Sequence, residues 1–396
     1  MVTLLAIVVL TLVNYRFAQQ SPGGNDFLPR WLGTRLLLTH GQSPYSAETT
    51  QAIQVMVYGR AARPAEDQQL FVYPAYTLFL IAPFAWLSDY TLARAAWLTV
   101  SEIAIIVLAL AGLRLANWRL RPIGFASYLL FAVLWYHAVR PVINGNPVVM
   151  VALFLTLAML AIRTRHDGLA GGLLALAAIK PQLCVLIVPW TLWWALWQRR
   201  GRIALGWGLT LIGLSAAAAI LVPDWLAQNV GQILAYPGYT VPGTPGAILG
   251  LLWPNVGQAL GWLITLGLGL SAVYIAWTMR QTGVDGFLYV GGWLLAATQW
   301  LGVQTDPTNY IVLFAPVVLV LATLARSNQR LAVGMLSLVL GVGLWVLFIA
   351  TVEHGVQPQQ HPIMFVPVPL IVLIGLAGRL HRSPTWSNLE LTEGPA

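Results

Sequence analysis

Charge is what this 396-residue sequence has least of. Lys and Arg number 21 and Asp and Glu 13, so charged residues make up 9% of the chain, against 58% apolar. Soluble proteins carry about 25% charged residues. So few charges cannot cover a soluble surface of this size, and the composition is too apolar for a disordered chain. Cysteine is nearly missing. Cys184 stands alone, which excludes an intrachain disulfide and a thiolate metal cluster; it reads as a small apolar residue inside a helix. No Asn-x-Ser/Thr acceptor for N-glycosylation occurs. The net charge of +8 does not indicate nucleic acid, because the basic residues sit in short clusters between apolar segments, as they do where topology is set in a membrane.

What is abundant is the long apolar run. Thirteen fall near 1–16, 72–88, 91–113, 122–139, 147–162, 168–179, 182–198, 203–222, 256–279, 286–303, 308–325, 330–350 and 362–379. A helix needs about 20 apolar residues to cross a bilayer. The first run is read as a span, since no small-residue cleavage site precedes Asn14, Tyr15 and Arg16. The linkers sort by charge. Arg114/Arg119/Arg121, Arg163/Arg165, Arg199/Arg200/Arg202, Arg280, Arg326/Arg330 and Arg379/Arg382 form a basic set, placed in the cytoplasm by the positive-inside rule. Linkers 17–71, 140–146, 180–181, 223–255, 304–307 and 351–361 are poorer in basic residues and hold most of the acids; they are assigned outside. The alternation closes if 72–88, which contains Pro83, lies half-buried at the outer interface. The expectation is an all-α polytopic membrane protein of about twelve transmembrane helices. Both termini are expected in the cytoplasm of a plasma-membrane protein. A long first outer loop carries interfacial helices near 27–40 and 45–62.

Glycines four apart, Gly168/Gly172, Gly246/Gly250 and Gly257/Gly261, allow close helix approach. The chain divides into a module 1–202, a C-terminal transmembrane module 203–382 and a cytoplasmic tail 383–396. No internal repeat is visible.

The sequence lacks a Walker A loop, GxGxxG, HExxH, CxxC, GxSxG and Asp-x-Asp. Asp-x-Asp is the pair that holds a metal on a nucleotide-sugar diphosphate, so a sugar moved by this chain would come from another donor. The candidate polar groups gather on the outer side. Asp26, close to the first span, is either a general base for a hydroxyl or the N-cap of the helix 27–40. Lys180 breaks an apolar stretch at Lys180-Pro181-Gln182. An ammonium at such depth is costly; it either binds a lipid-linked phosphate or snorkels to the surface. Arg140, Asn144, Gly145 and Asn146 form an outer turn in which Arg140 is the only cation, able to bind a phosphate or carboxylate. Asp306 is an N-cap or a sugar ligand. His354 and His361, with Glu353, are loop histidines or a metal site.

Taken in order, several of these segments resemble a known family. They are an early outer Asp26, Gly41-Gln42-Ser43-Pro44-Tyr45, Phe71-Val72-Tyr73-Pro74, the turn at Asn144-Gly145-Asn146, and the Gly-rich helix from Gly168 into Lys180-Pro181-Gln182. This order is similar to that of the polyprenyl-phosphate-mannose-dependent mannosyltransferases of glycosyltransferase family 87, within the GT-C superfamily. The resemblance is good over about 20–200; beyond it Asn309-Tyr310 and Pro316 are points of contact. The family usually reads Gly-Gln-x-Asn where this chain has Asn144-Gly145-Asn146-Pro147, and Tyr-Pro-Pro where it has Tyr73-Pro74-Ala75.

The resemblance implies a donor sugar, mannose first, on a polyprenyl monophosphate, and a glycolipid or glycan acceptor on the outer face. Asp26 would be the general base of an inverting displacement, with Lys180 and Arg140 on the donor phosphate. Tyr45, Tyr73, Asn144, Asn146, Gln182, Asp306 and Tyr310 would contact substrate. No metal or other cofactor is implied. Transfer of arabinose or glucose, or a non-catalytic scaffold or lipid transporter, are the competing readings.

Overall fold

The computed structural model describes residues 2–64, 66–235, 244–301, 306–352 and 360–380. The expected tail 383–396, Glu353, His354, Gln304 and Thr305 lie outside the described residues. Every regular element among the described residues is helical. The first five are α1 (Val2–Gln20), α2 (Leu28–His40), α3 (Ala47–Tyr58), α4 (Thr77–Ala85) and α5 (Tyr90–Leu115). There follow α6 (Pro122–Leu134), α7 (Tyr136–Asn144), α8 (Val148–Arg163), α9 (Asp167–Ala177), α10 (Pro181–Cys184) and α11 (Ile187–Trp197). Next come α12 (Arg202–Leu221), α13 (Trp225–Ala235), α14 (Pro245–Leu252), α15 (Gly257–Thr278) and α16 (Val284–Thr298). The last are α17 (Phe314–Arg326), α18 (Arg330–Leu338), α19 (Leu344–Thr351) and α20 (Pro367–Leu380). Turns of 3₁₀ helix, Pro307–Leu313 and Pro362–Phe365, lead into α17 and α20, and a π turn joins α18 to α19.

Among the described residues, six helical stretches are long and apolar enough to cross a membrane: Tyr90–Leu115, Arg202–Leu221, Gly257–Thr278, Pro307–Arg326, Arg330–Thr351 and Pro362–Leu380. The pair α6 and α7, bent by 43°, makes a seventh if taken as one span. This falls short of the twelve expected. The runs around 147–162, 168–179 and 286–303 form the shorter apolar helices α8, α9 and α16, and 182–198 splits into α10 and α11. The Lys180-Pro181 break explains α9 and α11: Pro181 opens α10, and proline cannot continue a helix whose carbonyl ladder it interrupts.

Burial separates core from periphery. The stretch Pro307–Arg326 is 89% buried, whereas Arg202–Leu221, Gly257–Thr278 and Arg330–Thr351 are 11% buried. Apolar helices bare on most of their surface have no place in water. The protein is therefore a polytopic membrane protein, with these helices against lipid.

Small residues set the helix contacts. A Cβ on Gly171 of α9 would collide with the Ile203 carbonyl oxygen of α12, so this pair meets backbone to backbone, as expected of small residues between membrane helices. An ion pair between Arg200 and Asp167 ties the same two elements at one end. Replacing Gly171 by leucine is expected to push α9 and α12 apart at a cost of about 1–3 kcal/mol. A lower unfolding midpoint in detergent reads it; an unchanged midpoint would contradict the tight packing.

The interfacial helices expected near 27–40 and 45–62 are α2 and α3. Ser46 caps α3 by accepting from the Thr49 amide, and Gly41 and Gly59 end α2 and α3 in the left-handed conformation. The segment 72–88 contains only the nine-residue helix α4, with Pro83 inside it. At about 1.5 Å per residue α4 is far too short to cross. Helix α2 packs on α3 and α4, and α4 in turn packs on α5.

Candidate active site

Asp26 lies in the short loop between α1 and α2, and backbone contacts hold that loop. Its amide donates to the Asn144 carbonyl at 3.0 Å. The buried Arg94 of α5 donates through Nη1 to the Ser21 carbonyl at 2.6 Å. Trp97 Nε1 donates to the Gly145 carbonyl at 2.9 Å. Gly145 has φ +69°, and a Cβ there would collide with Phe27; only glycine suits this crossing of the two chain segments. Phe27 stacks on Trp97, ring centroids 5.3 Å apart.

Capping does not explain Asp26. The cap position of α2 is Phe27, with no side-chain cap hydrogen bond, and a proline opens the helix. The N-cap alternative is thereby corrected: the carboxylate faces Asn146 instead, whose Nδ2 donates to Asp26 Oδ2 at 3.0 Å. The other end of that amide accepts from the Val148 amide at 3.0 Å. One side chain therefore starts α8 and orients the carboxylate.

Burial raises the pKa of Asp26 above the usual carboxylate range. Arg30 and then Lys180 pull it down, and Asp306 and Asp67 push it up. Asp26 remains half-buried and open enough to meet a ligand. A carboxylate of raised pKa is a stronger base. As the expected general base it would act deprotonated, so activity is expected to be lost as pH falls through this raised pKa. Asn146→Ala removes a donor to the charged form. The acid limb of the pH–rate profile should then move upward by about one pH unit, from the worth of a hydrogen bond to a charged group. An unmoved limb would separate Asn146 from the base.

Lys180 follows the end of α9. It is 5% exposed, and Nζ donates to Asn309 Oδ1 at 2.6 Å. The turn is anchored by Tyr76, whose hydroxyl donates to the Ala178 carbonyl at 2.7 Å. Lys180 therefore does not snorkel to the surface. Its ammonium stands 5.4 Å from the Tyr73 ring centroid, and the Arg30 guanidinium stands 4.2 Å from the same centroid. Cations over an aromatic face are attracted by its quadrupole.

Tyr73 is aimed by an unusual backbone. Val72 has φ +58°, and the Tyr73 amide donates to the Phe71 carbonyl at 2.7 Å across it. This is a γ-turn of the rare, strained hand, at a β-branched residue that avoids positive φ. Helix α13 holds it. The Val72 amide donates to Gln232 Oε1, and Asn229 Nδ2 donates to the Val72 carbonyl, both at 2.8 Å. Tyr45 adds its hydroxyl, donating to the Tyr73 carbonyl at 2.6 Å.

The structure thus gathers Asp26, Tyr73, Asn146 and Lys180, with Asn144 contributing its backbone and Tyr45 supporting Tyr73 from behind. Arg140 sits elsewhere, its guanidinium 5.2 Å from the Phe348 ring centroid; it is not among the groups that act on the Asp26 charge. Asp306 is exposed and caps the Pro307–Leu313 turn by accepting from the Thr308 amide. Tyr310 is fully buried, its hydroxyl donating to the Phe365 carbonyl at 3.2 Å. Gln182 is half-buried in α10. His361 Nδ1 accepts from the Ile363 amide and caps a short turn. Among the described residues no three His, Cys, Asp or Glu side chains gather at one point.

Arg30 was not singled out in the sequence, where 27–40 was expected only as an interfacial helix. The available signal was its spacing, four residues beyond Asp26. At that distance Arg30 Nη1 donates to the Asp26 carbonyl at 3.1 Å.

A polytopic helical bundle that holds a carboxylate beside buried cations defines a membrane protein with a candidate catalytic site. Its family follows from comparison: the model for glycosyltransferase family 87 matches residues 71–351, well over half of the chain, and the protein belongs to that family. It is a membrane glycosyltransferase. Neither a curated protein nor a solved structure matches it. The matched stretch runs much further toward the C-terminus than the motif resemblance over 20–200. It contains Tyr73, Arg140, Asn144, Asn146, Lys180, Gln182, Asp306 and Tyr310, and it begins after Asp26 and Tyr45.

Proposed function

We propose that the protein transfers a sugar, mannose first among candidates, from a polyprenyl monophosphate to a hydroxyl of a lipid-linked or glycan acceptor. The reaction takes place at the outer face of the plasma membrane and inverts the anomeric centre. The observation that carries this reading is that Lys180 and Arg30, which bonds to the Asp26 carbonyl, stand over the same Tyr73 ring, although 154 residues of sequence separate Lys180 from Asp26.

Asp26 takes the proton from the acceptor hydroxyl as its oxygen attacks the anomeric carbon. The bond from that carbon to the phosphate oxygen breaks, and its electron pair leaves with the polyprenyl phosphate. One carboxylate acting as base in a single displacement inverts, by the logic of inverting glycosidases. Lys180 offsets charge on the leaving phosphate in a low-dielectric site. The phosphate departs as a stable anion, so no general acid is needed on that side, and the scheme has no step that calls for a metal or other cofactor.

The two-faced setting suits lipid-linked substrates. A cavity of about 260 Å³ lies beside the Asp26 loop, lined by Leu28, Met56 and Val57 together with Asn25, Tyr90 and Arg94 among others. Neither Asp26 nor Lys180 lines it, so this cavity adjoins the proposed reaction site and is not that site. The basic linkers argue for the twelve-crossing layout with cytoplasmic termini, in which the short helices α8, α9 and α16 cross a locally thinned or protein-filled region.

The test is a transfer assay in membranes expressing the chain, supplied with polyprenyl-phosphate [¹⁴C]mannose, with Asp26→Asn membranes as control. A new labelled glycolipid or glycan made only by the native chain is the expected result. Label at the control level with mannose, but not with arabinose or glucose donors, would change the sugar. No transfer from any polyprenyl-phosphate sugar would overturn the donor class.

A further inference from the structure

Two buried cations in this site share one acid. Arg30 is 8% exposed and Lys180 5% exposed. Among the described residues the ion pairs are Arg60 with Glu66, Arg163 with Asp285 and Arg200 with Asp167; neither Arg30 nor Lys180 takes part in one. Lys180 donates to the neutral Asn309 amide. Arg30 donates through Nη1 to a backbone carbonyl, and its Nε is buried with no hydrogen-bond partner. Both lean on the Tyr73 ring, and both act on the charge of Asp26. A buried cation is costly unless an anion and hydrogen-bond acceptors complete its surroundings. Asp67 and Asp306 also act on Asp26 but are exposed to solvent; among the buried groups, with Asp26 ionised, the cluster carries one positive charge too many, and Arg30 Nε is a donor without an acceptor.

We propose that Arg30 is a second phosphate ligand, and that the Arg30–Lys180 pair balances the leaving polyprenyl monophosphate once Asp26 has taken the proton. This inference rests on the donor class proposed above. The donor is a phosphodiester with one negative charge. The leaving group is a monoester, which carries about −1.5 to −2 near pH 7. Before transfer, two cations face Asp26 as a carboxylate and the donor phosphate, and the site is neutral. The acceptor hydroxyl then gives its proton to Asp26, its oxygen bonds to the anomeric carbon, and the electron pair of the broken bond passes to the phosphate. After transfer, two cations face neutral Asp26 and a phosphate near −2, and the site is neutral again. Negative charge has moved from carboxylate to phosphate with no change in the total. With Lys180 alone the site would hold one uncompensated negative charge throughout. As a phosphate ligand Arg30 gains attraction when that group takes on the charge that Asp26 loses, an interaction that raises turnover rather than donor binding.

The test uses the purified full-length chain and two probes, farnesyl phosphate as monoester and farnesyl methyl phosphate as diester, with binding followed by calorimetry. With Asp26 made neutral by Asp26→Asn, as it is after transfer, the chain should hold the monoester at least about tenfold more tightly than the diester. In that chain Arg30→Gln should erase most of that preference while leaving the diester within about threefold. Arg30→Lys keeps the charge and should retain most of the preference, which separates charge from packing. Asp26→Asn, by removing the competing negative charge, should tighten the diester. In transfer, Arg30→Gln should lower kcat by about 10²–10³-fold, the range for removing one donor to a developing charge, with donor KM nearly unchanged. An unchanged monoester-to-diester ratio in Arg30→Gln, or a loss confined to KM, would overturn the inference while leaving the donor class standing. Failure of the native chain to bind either probe would overturn both.

Discussion

Asp26→Asn abolishes transfer while the protein folds and inserts as before: this is the largest effect expected of any single substitution. Asparagine has the shape of aspartate and keeps an oxygen to accept the hydrogen bond that Asn146 Nδ2 now makes to Oδ2. It also leaves the Asp26 backbone amide on the Asn144 carbonyl. What it cannot do is take a proton. A positioned general base contributes about 10²–10⁴-fold, and transfer should fall by at least that factor. The native enzyme should show an acid limb in its pH–rate profile, displaced upward because burial raises the Asp26 pKa. In the variant the residual rate should lose that limb. Retained transfer with an unaltered limb would remove Asp26 from the mechanism.

Lys180→Ala comes next. The substitution strips the Asn309 amide oxygen of its charged donor and takes one of two cations from the Tyr73 ring. In the proposed mechanism Lys180 meets the phosphate in both donor and product, so donor affinity and turnover should both suffer, unlike the kcat-weighted loss expected for Arg30→Gln. A fall of about 10²–10³-fold in kcat/KM is expected, the range for removing one preorganised charge-stabilising group. Lys180→Arg should rescue poorly. The planar guanidinium is wider than an ammonium, and the space around Nζ is bounded by Tyr73 and Asn309. Steady-state kinetics over donor concentration read both quantities. Unchanged affinity and rate in Lys180→Ala would show that the phosphate lies elsewhere, with Arg140 the next cation to test.

The two predictions differ in how far the sequence alone could carry them. Asp26 was visible as an acid near a span, with a capping role open beside the catalytic one. Only the contact with Asn146, 120 residues away, decided against the cap. Lys180 was conspicuous because a lysine in an apolar stretch is expensive, yet its partner Asn309 is 129 residues away. Arg30 was hidden by its neighbours: an arginine on a short amphipathic helix looks solvated until the strained turn at Val72 lays Tyr73 against it. Arg140 is a lone cation in an outer turn in the sequence, and the fold sets its guanidinium over the Phe348 ring.

Composition and local pattern by themselves determined the membrane class, the all-helical fold, α2 and α3 to within a few residues, and the failure of 72–88 to cross. Each of these depends on hydropathy over a window, on capping chemistry or on proline, all properties of neighbours in the chain. Family membership was also legible, because the motifs that carry it are short and contiguous. The tertiary structure decided which helices reach full span length, which are sheathed by protein and which face lipid, and which polar groups share one site. Those depend on packing between segments more than a hundred residues apart. A buried charge takes its meaning from the groups that surround it, and no window of sequence contains them.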